Sequence, residues 1–240
     1  MDKIILITGA SSGIGEGIAR ALGAAGAKVL LGARRLERIE AIAAEIRESG
    51  GTAEARALDV VDRGAMAAFA QAALDLWGRI DVLVNNAGVM PLSPLAAGKH
   101  DEWERTVDVN IKGVLWGIGA VLPVMERQGS GQIINIGSIG ARSVVPTAAV
   151  YCATKFAVRA ISDGLRQESS KIRVTCVNPG VVESDLASTI THEETKALMN
   201  DFRAIALQPA DIAHAVRHVI EAPGGVDTSE ITVRPTASPY

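Results

Sequence analysis

Short runs of apolar and β-branched residues recur along the chain at Lys3–Thr8, Lys28–Gly32, Thr52–Leu58, Asp81–Asn85, Gly131–Gly137, Lys171–Asn178 and Glu230–Val233. Their length and composition predict β-strands. Between them, apolar positions return every three or four residues over Gly15–Gly26, Leu36–Ser49, Arg63–Trp77, His100–Arg127, Val150–Ser169 and Pro209–Glu221, which predicts helices. Gly26, Gly50 and Gly78 stand where left-handed C-caps would end three of them. Apolar strands alternating with helices call for a parallel sheet covered on both faces, and right-handed crossovers make it doubly wound. The expected fold class is α/β.

One stretch breaks the rhythm. Val182–Gln208, after the sixth strand, is polar, with Ser, Thr, His and Glu interspersed. A segment of that length in a compact domain is usually functional, and here it is expected to be a substrate lid. No repeat, low-complexity tract or Pro-rich linker divides the chain, so residues 1–240 are read as one domain with a lid at 182–208. The net charge of −3 lacks the basic excess that attracts nucleic acid or an anionic membrane surface, and neither is an expected partner. No continuous apolar run approaches the roughly 18 residues of a membrane span, so a cytoplasmic location is expected. Cys152 and Cys176 are too few for a disulfide framework and lack metal-ligand spacing, so reduced core thiols are expected and no metal site.

The segment Thr8-Gly9-Ala10-Ser11-Ser12-Gly13-Ile14-Gly15 follows the first strand and opens the first helix. A turn this tight needs glycine, and a pyrophosphate can approach backbone closely only where side chains are absent. The helix N-terminus then offers N–H groups and partial positive charge to the phosphates, so Gly9, Ser11, Ser12, Gly13, Ile14 and Gly15 are candidate dinucleotide contacts. The end of the second strand bears on which dinucleotide. An NAD site offers an acid there to the ribose 2′-hydroxyl, whereas a 2′-phosphate excludes the acid and favours arginine. The sequence has Ala33 followed by Arg34 and Arg35, which points to NADP(H), with Arg34 expected to carry most of the discrimination. The competing reading of the two arginines is a solvated helix start.

Tyr151 and Lys155 lie four residues apart near the start of a predicted helix, so both side chains emerge on one face. An ammonium beside a phenol favours the phenolate and is expected to lower the tyrosine toward working pH, fitting Tyr151 to exchange a proton with an alcohol or carbonyl oxygen. Ser138 closes the fifth strand at the carboxyl edge of the sheet, where its hydroxyl can bond the same oxygen. Tyr-x-x-x-Lys alone is common by chance. It gains weight from the residues around it.

Taken together, the Thr-Gly-x-x-x-Gly-x-Gly turn, Asp59-Val60, Asn85-Asn86-Ala87-Gly88, Asn110, Ser138, Tyr151-x-x-x-Lys155 and Pro179-Gly180 resemble the short-chain dehydrogenases/reductases over nearly the whole chain. The resemblance implies a Rossmann fold with strand order 3-2-1-4-5-6-7 and a carbonyl reductase or alcohol dehydrogenase activity. It places Asp59 and Val60 at the adenine and Asn86, Ala87 and Gly88 beside the cofactor. Pro179, Gly180, Val182 and Ser184 would lie at the nicotinamide, Ser184 standing where relatives usually have threonine. By the same resemblance Asn110 kinks its helix and holds a water that links Lys155 to solvent, and long helices pair subunits into homotetramers or homodimers. The segments Ala206–Ile212 and Glu230–Thr236 resemble a bacterial subgroup of NADP-dependent 3-hydroxy acid dehydrogenases and clavulanate-type aldehyde reductases. A non-catalytic NADP-binding regulatory or scaffold protein is the alternative from another class, and sugar epimerases or dehydratases are a third, less fitting in length and glycine spacing.

Other polar residues are weighed individually. His214 and His218 share a helix face, but no further ligand is near in sequence, so solvated positions are expected. His100 is the remaining histidine besides His192, which lies in the lid, where it could touch substrate. Arg142 could meet a substrate carboxylate, although a surface salt bridge is the simpler expectation.

Overall fold

The computed structural model describes residues 1–238, apart from the side chains at positions 200 and 201. The last two positions of the predicted domain, 239 and 240, lie outside the described residues. Seven strands, β1 (Ile4–Thr8), β2 (Lys28–Ala33), β3 (Thr52–Ala57), β4 (Val82–Asn85), β5 (Gly131–Ile136), β6 (Ile172–Pro179) and β7 (Glu230–Val233), form one sheet in the order β3-β2-β1-β4-β5-β6-β7. Every pairing is parallel. This is the predicted doubly wound α/β fold, and the strand bounds agree with the hydrophobic runs to within a residue.

Period-two alternation along the strands feeds two cores. Ile5 and Ile7 of β1 enter one layer with Ile18 and Leu22 of α1 (Gly13–Ala24), Ile39 and Ile42 of α2 (Leu36–Glu48), and residues farther along the chain. Ile4 and Leu6 enter the other with Met66 and Phe69 of α3 (Arg63–Trp77). Gly26, Gly50 and Gly78 all have positive φ, as the C-cap reading requires.

Helical periodicity runs unbroken through His100–Arg127, but the backbone does not. It forms α4 (His100–Val107), a π-turn at Asp108–Lys112 and α5 (Gly113–Gln128). The inserted residue turns Asn110 inward to a fully buried position. The whole run from His100 is long and apolar enough to cross a membrane by length and composition. Its residues Val114, Ile118, Val121 and Met125 nevertheless pack into the sheet's core, while Leu115 of α5 and Phe156 of α6 (Ala149–Glu168) are exposed.

The lid contains more structure than its sequence suggests. A 3-10 turn at Asp185–Thr189 leads to α7 (Glu193–Arg203), followed by α8 (Pro209–Glu221). The apolar residues of α7 were hidden among polar neighbours because they do not face either main core. The lid's two ends are pinned together by a parallel bridge between Val182 and Leu207.

A buried polar relay fixes α6 on the sheet. Asn85 Nδ2 donates to Asn135 Oδ1 at 2.9 Å, and Asn135 Nδ2 donates to Ser162 Oγ at 2.9 Å. Ser162 then donates to the Val158 carbonyl at 2.8 Å. Removing the middle member strands the Asn85 amide away from water. Asn135→Ala should therefore lower the unfolding free energy by about 1–3 kcal/mol in urea titration, and a change within about 0.5 kcal/mol would contradict the role given to this relay.

Candidate active site

The first β-α turn is shaped by conformation and by contact. Gly9 has φ +66° and Gly13 φ +54°, both in the left-handed region. A Cβ on Gly9 would lie 2.7 Å from Ala87 Cα, and one on Gly15 would lie 2.3 Å from the Gly9 carbonyl oxygen. The turn is clamped to the end of β4. Thr8 Oγ1 accepts from the Asn86 and Ala87 amides at 3.0 and 3.1 Å, while Asn86 Nδ2 donates to the Thr8 and Gly9 carbonyls at 2.9 and 3.1 Å. Ser12, the N-cap of α1, makes no side-chain capping bond, so the start of this helix is not closed off by its own cap. These features fit a pyrophosphate: a cradle without side chains at a helix N-terminus.

A single cavity of about 1240 Å³ runs from this turn across the carboxyl edge of the sheet to the lid. It takes in the predicted Ser11, Ser12, Ile14, Arg34, Arg35, Asp59 and Val60 at one end and Ser138, Tyr151, Lys155, Pro179, Gly180, Val182 and Ser184 at the other, with Asn86, Ala87 and Gly88 between. It is large enough for a dinucleotide and a further small molecule. Gly15 stands behind the turn as a packing residue. Asn110 is likewise absent from the lining.

Asn110 acts from underneath. Its Oδ1 accepts from the Val89 amide at 2.9 Å, and its Nδ2 donates to the Val89 carbonyl at 2.9 Å and to Thr154 Oγ1 at 3.1 Å. The side chain thereby ties the segment after β4 to α6. A Cβ on Gly88 would lie 3.4 Å from Asn110 Oδ1 and 4.0 Å from Lys155 Nζ, so Gly88 separates the two groups.

Ser138, Tyr151 and Lys155 are each less than a tenth exposed, at 9%, 8% and 7%. A methyl group placed on Gly140 would lie 3.3 Å from Ser138 Oγ and 3.5 Å from Tyr151 Cε1, which shows how closely the two side chains converge. Ser138 is held by its amide, which donates to Asn178 Oδ1 at 3.2 Å. Lys155 Nζ donates to the Ile136 carbonyl at 2.9 Å and stands 5.7 Å from the Tyr151 ring centroid.

The electrostatics correct one expectation. Burial pushes the Tyr151 phenol up to about 12, with a hydrogen bond from Ser138 only partly opposing it. Burial also pushes the Lys155 ammonium down to about 8. The expected lowering of Tyr151 by Lys155 is therefore absent, because burial of the phenol is the largest influence on it. Tyr151 is a neutral phenol at physiological pH.

At the end of β2 the two arginines differ. Arg35 Nη2 donates to Ser11 Oγ at 3.1 Å and Ser12 Oγ at 2.8 Å, and pairs with Asp185 Oδ2 of the lid at 3.2 Å. Arg34 lines the cavity and is exposed. Ala33 is buried, and no acid replaces it at the end of β2. Asp59 is exposed, its side chain accepting only from the Val61 amide at 3.3 Å.

Other candidates fall away or gain company. Arg142 Nη2 pairs with Glu230 Oε1 at 3.2 Å, the surface salt bridge expected of it. His192 Nδ1 bonds Thr195 Oγ1 at 3.0 Å and does not line the cavity. His100, His214 and His218 are exposed, and among the described residues no group of three or more His, Cys, Asp or Glu could hold a metal. Cys152 is buried as expected but lines the cavity, packed with Tyr151. Sequence reasoning missed Thr154, Asn178 and Asp185, although buried polar residues within apolar strands and helices, such as Asn178, are a signal of fixed partners.

A family model described as short chain dehydrogenase matches residues 3–195. The chain belongs to the short-chain dehydrogenase/reductase family. A protein of Staphylococcus saprophyticus described as an uncharacterized oxidoreductase is 45% identical over 98% of this chain and 97% of its own length. The closed form of a serine dehydrogenase complexed with NADP+ superposes with a TM-score of 0.91 at 33% identity, covering 99% of this chain and 96% of that one. A short chain dehydrogenase/reductase from Burkholderia phymatum, solved with NAD, shares the fold at a TM-score of 0.89 and 23% identity, covering 96% and 88%. This chain is thus an oxidoreductase of the family, built for a nicotinamide cofactor.

The two tyrosines of the chain, Tyr151 and Tyr240, make the phenol measurable. Absorbance at 295 nm, followed over the pH range in which circular dichroism stays native, should lose an ionisation near 12 when Tyr151→Phe is compared with wild type. A lost step at or below the ordinary value of about 10 would contradict the burial argument.

Proposed function

We propose that this short-chain dehydrogenase/reductase is an NADP(H)-dependent enzyme interconverting a ketone or aldehyde with the corresponding alcohol, with Tyr151 as general acid and base. The observation that carries this reading is the convergence of Ser138, Tyr151 and Lys155 in the cavity that also contains the phosphate turn. Pro179, Gly180, Val182 and Ser184 would hold a nicotinamide there, which would supply hydride chemistry at the carbonyl carbon in either direction. The Ser138 hydroxyl holds the carbonyl oxygen, and Tyr151 Oη gives that oxygen its proton. Lys155, anchored on the Ile136 carbonyl, stabilises the phenolate left behind. In oxidation the same phenolate takes the alcohol proton. Asn110 keeps Lys155 and the Gly88 segment in register, the positioning role that its bonds to Val89 and Thr154 support.

The choice of NADP(H) rests on Ala33 and Arg35. With no acid at the end of β2, a 2′-phosphate meets no repulsion there. Arg35, already directed to Ser11 and Ser12, would exchange Asp185 for the phosphate. Arg34 adds charge at the rim. Assembly into a homodimer or homotetramer belongs to the same reading, supported by the exposed apolar Leu115 of α5 and Phe156 of α6.

Tyr151→Phe should lower turnover of any accepted carbonyl by about 10²–10⁴-fold while NADPH still binds, as judged by fluorescence titration. Unchanged turnover would remove Tyr151 from the mechanism. Arg35→Ala should weaken NADPH binding by about ten- to hundredfold and leave NADH binding nearly unaltered, the loss expected for hydrogen bonds to a charged group. Equal weakening for both cofactors would assign Arg35 to the turn's structure instead.

A further inference from the structure

We infer that Glu230, on the edge strand β7, is a positioning residue for the Ser138 hydroxyl and acts through the side-chain amide of Asn178. This rests on the oxidoreductase reading above, in which Ser138 holds the substrate oxygen.

Asn178 lies near the end of β6, fully buried between Ser138 and Glu230. Its Oδ1 accepts from the Ser138 amide at 3.2 Å, and its Nδ2 donates to Glu230 Oε1 at 2.6 Å. An amide side chain has one accepting end and one donating end, so a buried one keeps a single orientation only where its neighbours distinguish the two. A carboxylate accepts and does not donate. Glu230 therefore holds Nδ2 on its own side and leaves Oδ1 for Ser138. Cys176 Sγ also donates to Oδ1, at 3.4 Å, and a Cβ on Gly137 would lie 2.2 Å from that oxygen. The oxygen thus occupies the space that any side chain at position 137 would need.

Glu230 is itself held from two sides. Arg142 Nη2, in the loop leaving Ser138, pairs with Oε1 at 3.2 Å, and Arg159 Nη2 of α6 pairs with Oε2 at 3.5 Å. Arg159 follows Lys155 by one helical turn and Tyr151 by two. One carboxylate accordingly joins β6, the loop after Ser138 and the helix that bears the phenol. Both guanidinium groups are exposed, and ion pairs of that kind contribute little to stability by themselves. The contact with a buried amide is what gives Glu230 its consequence. Without the carboxylate, Asn178 Nδ2 loses its partner and faces two guanidinium groups that only donate. Turning the amide over would offer them Oδ1 and set Nδ2 against the Ser138 amide, donor against donor. Ser138 would then lose the anchor of its backbone, and its hydroxyl, which accepts from the Gly140 amide at 3.0 Å, would shift from its place beside Tyr151.

Reduction of an accepted ketone or aldehyde by the full chain with NADPH tests this. Glu230→Ala should lower kcat/KM for the carbonyl by about 10–100-fold, less than the roughly 10²–10³-fold cost of deleting such a donor outright. NADPH affinity, followed by fluorescence titration, should stay within about twofold. Glu230→Gln keeps an oxygen for Asn178 and loses both ion pairs, so it should restore most of the loss. In a Ser138→Ala background, adding Glu230→Ala should cost less than about twofold more, because the hydroxyl it positions is already gone. Should Glu230→Ala fail to fold, Glu230→Met carries the same comparisons at nearly the original volume. Activity of the Ala or Met variant within about twofold of wild type, a Gln variant equally impaired, or an equal loss in both backgrounds would overturn the inference and leave the oxidoreductase reading standing. A wild-type chain that reduces no carbonyl compound would remove both together.

Discussion

The Thr8 hydroxyl, accepting from the Asn86 and Ala87 amides at the mouth of the sheet, is the constraint on which the site depends. β1 pairs with β2 on one side and β4 on the other, so the chain's crossovers depart in opposite directions at this point and leave a crevice between them. The clamp across that crevice fixes the turn holding the phosphate cradle relative to the segment that reaches Asn110 and Lys155. Gly9 approaches Ala87 so closely that no side chain could stand between them. The glycine turn and the segment leading to Asn110 are thereby held by one short piece of backbone.

From that clamp a series of buried polar bonds extends outward. Asn110 joins the Val89 backbone to Thr154 on α6, and the relay from Asn85 through Asn135 to Ser162 joins the same helix to the sheet. These bonds are buried, so the helix bearing Tyr151 and Lys155 has little freedom to slide. Rigidity here has an electrostatic consequence. The burial that fixes the pair also holds the phenol protonated and weakens the ammonium.

Much of this was legible in the sequence. Apolar runs marked every strand, glycine marked three helix ends, and Tyr151, Lys155, Ser138 and the phosphate turn arrive in one cavity. What escaped has physical reasons. The π-turn at Asp108–Lys112 keeps the hydrophobic period of a helix and shifts its phase by a single residue, so the kink at Asn110 is legible from the family resemblance and not from the periodicity. The stripe on α7 packs toward a cavity, so its few apolar residues do not produce the pattern of a core helix. Arg34 and Arg35 cannot be told apart by spacing, since only the path of the backbone into α2 decides which side chain crosses to Ser11 and Ser12. The direction of the Tyr151 shift depends on burial, and proximity to Lys155 alone suggested the opposite.

The central claim is that this crevice brings a nicotinamide and the Tyr151 proton to the two ends of one carbonyl bond. Transfer of deuterium from NADPH labelled on either face of its reactive nicotinamide carbon tests it most directly. The account predicts that one face alone delivers deuterium, that all of it is found on the alcohol carbon, and that none is lost to water. Label appearing from both faces, or exchanged into solvent, would contradict it.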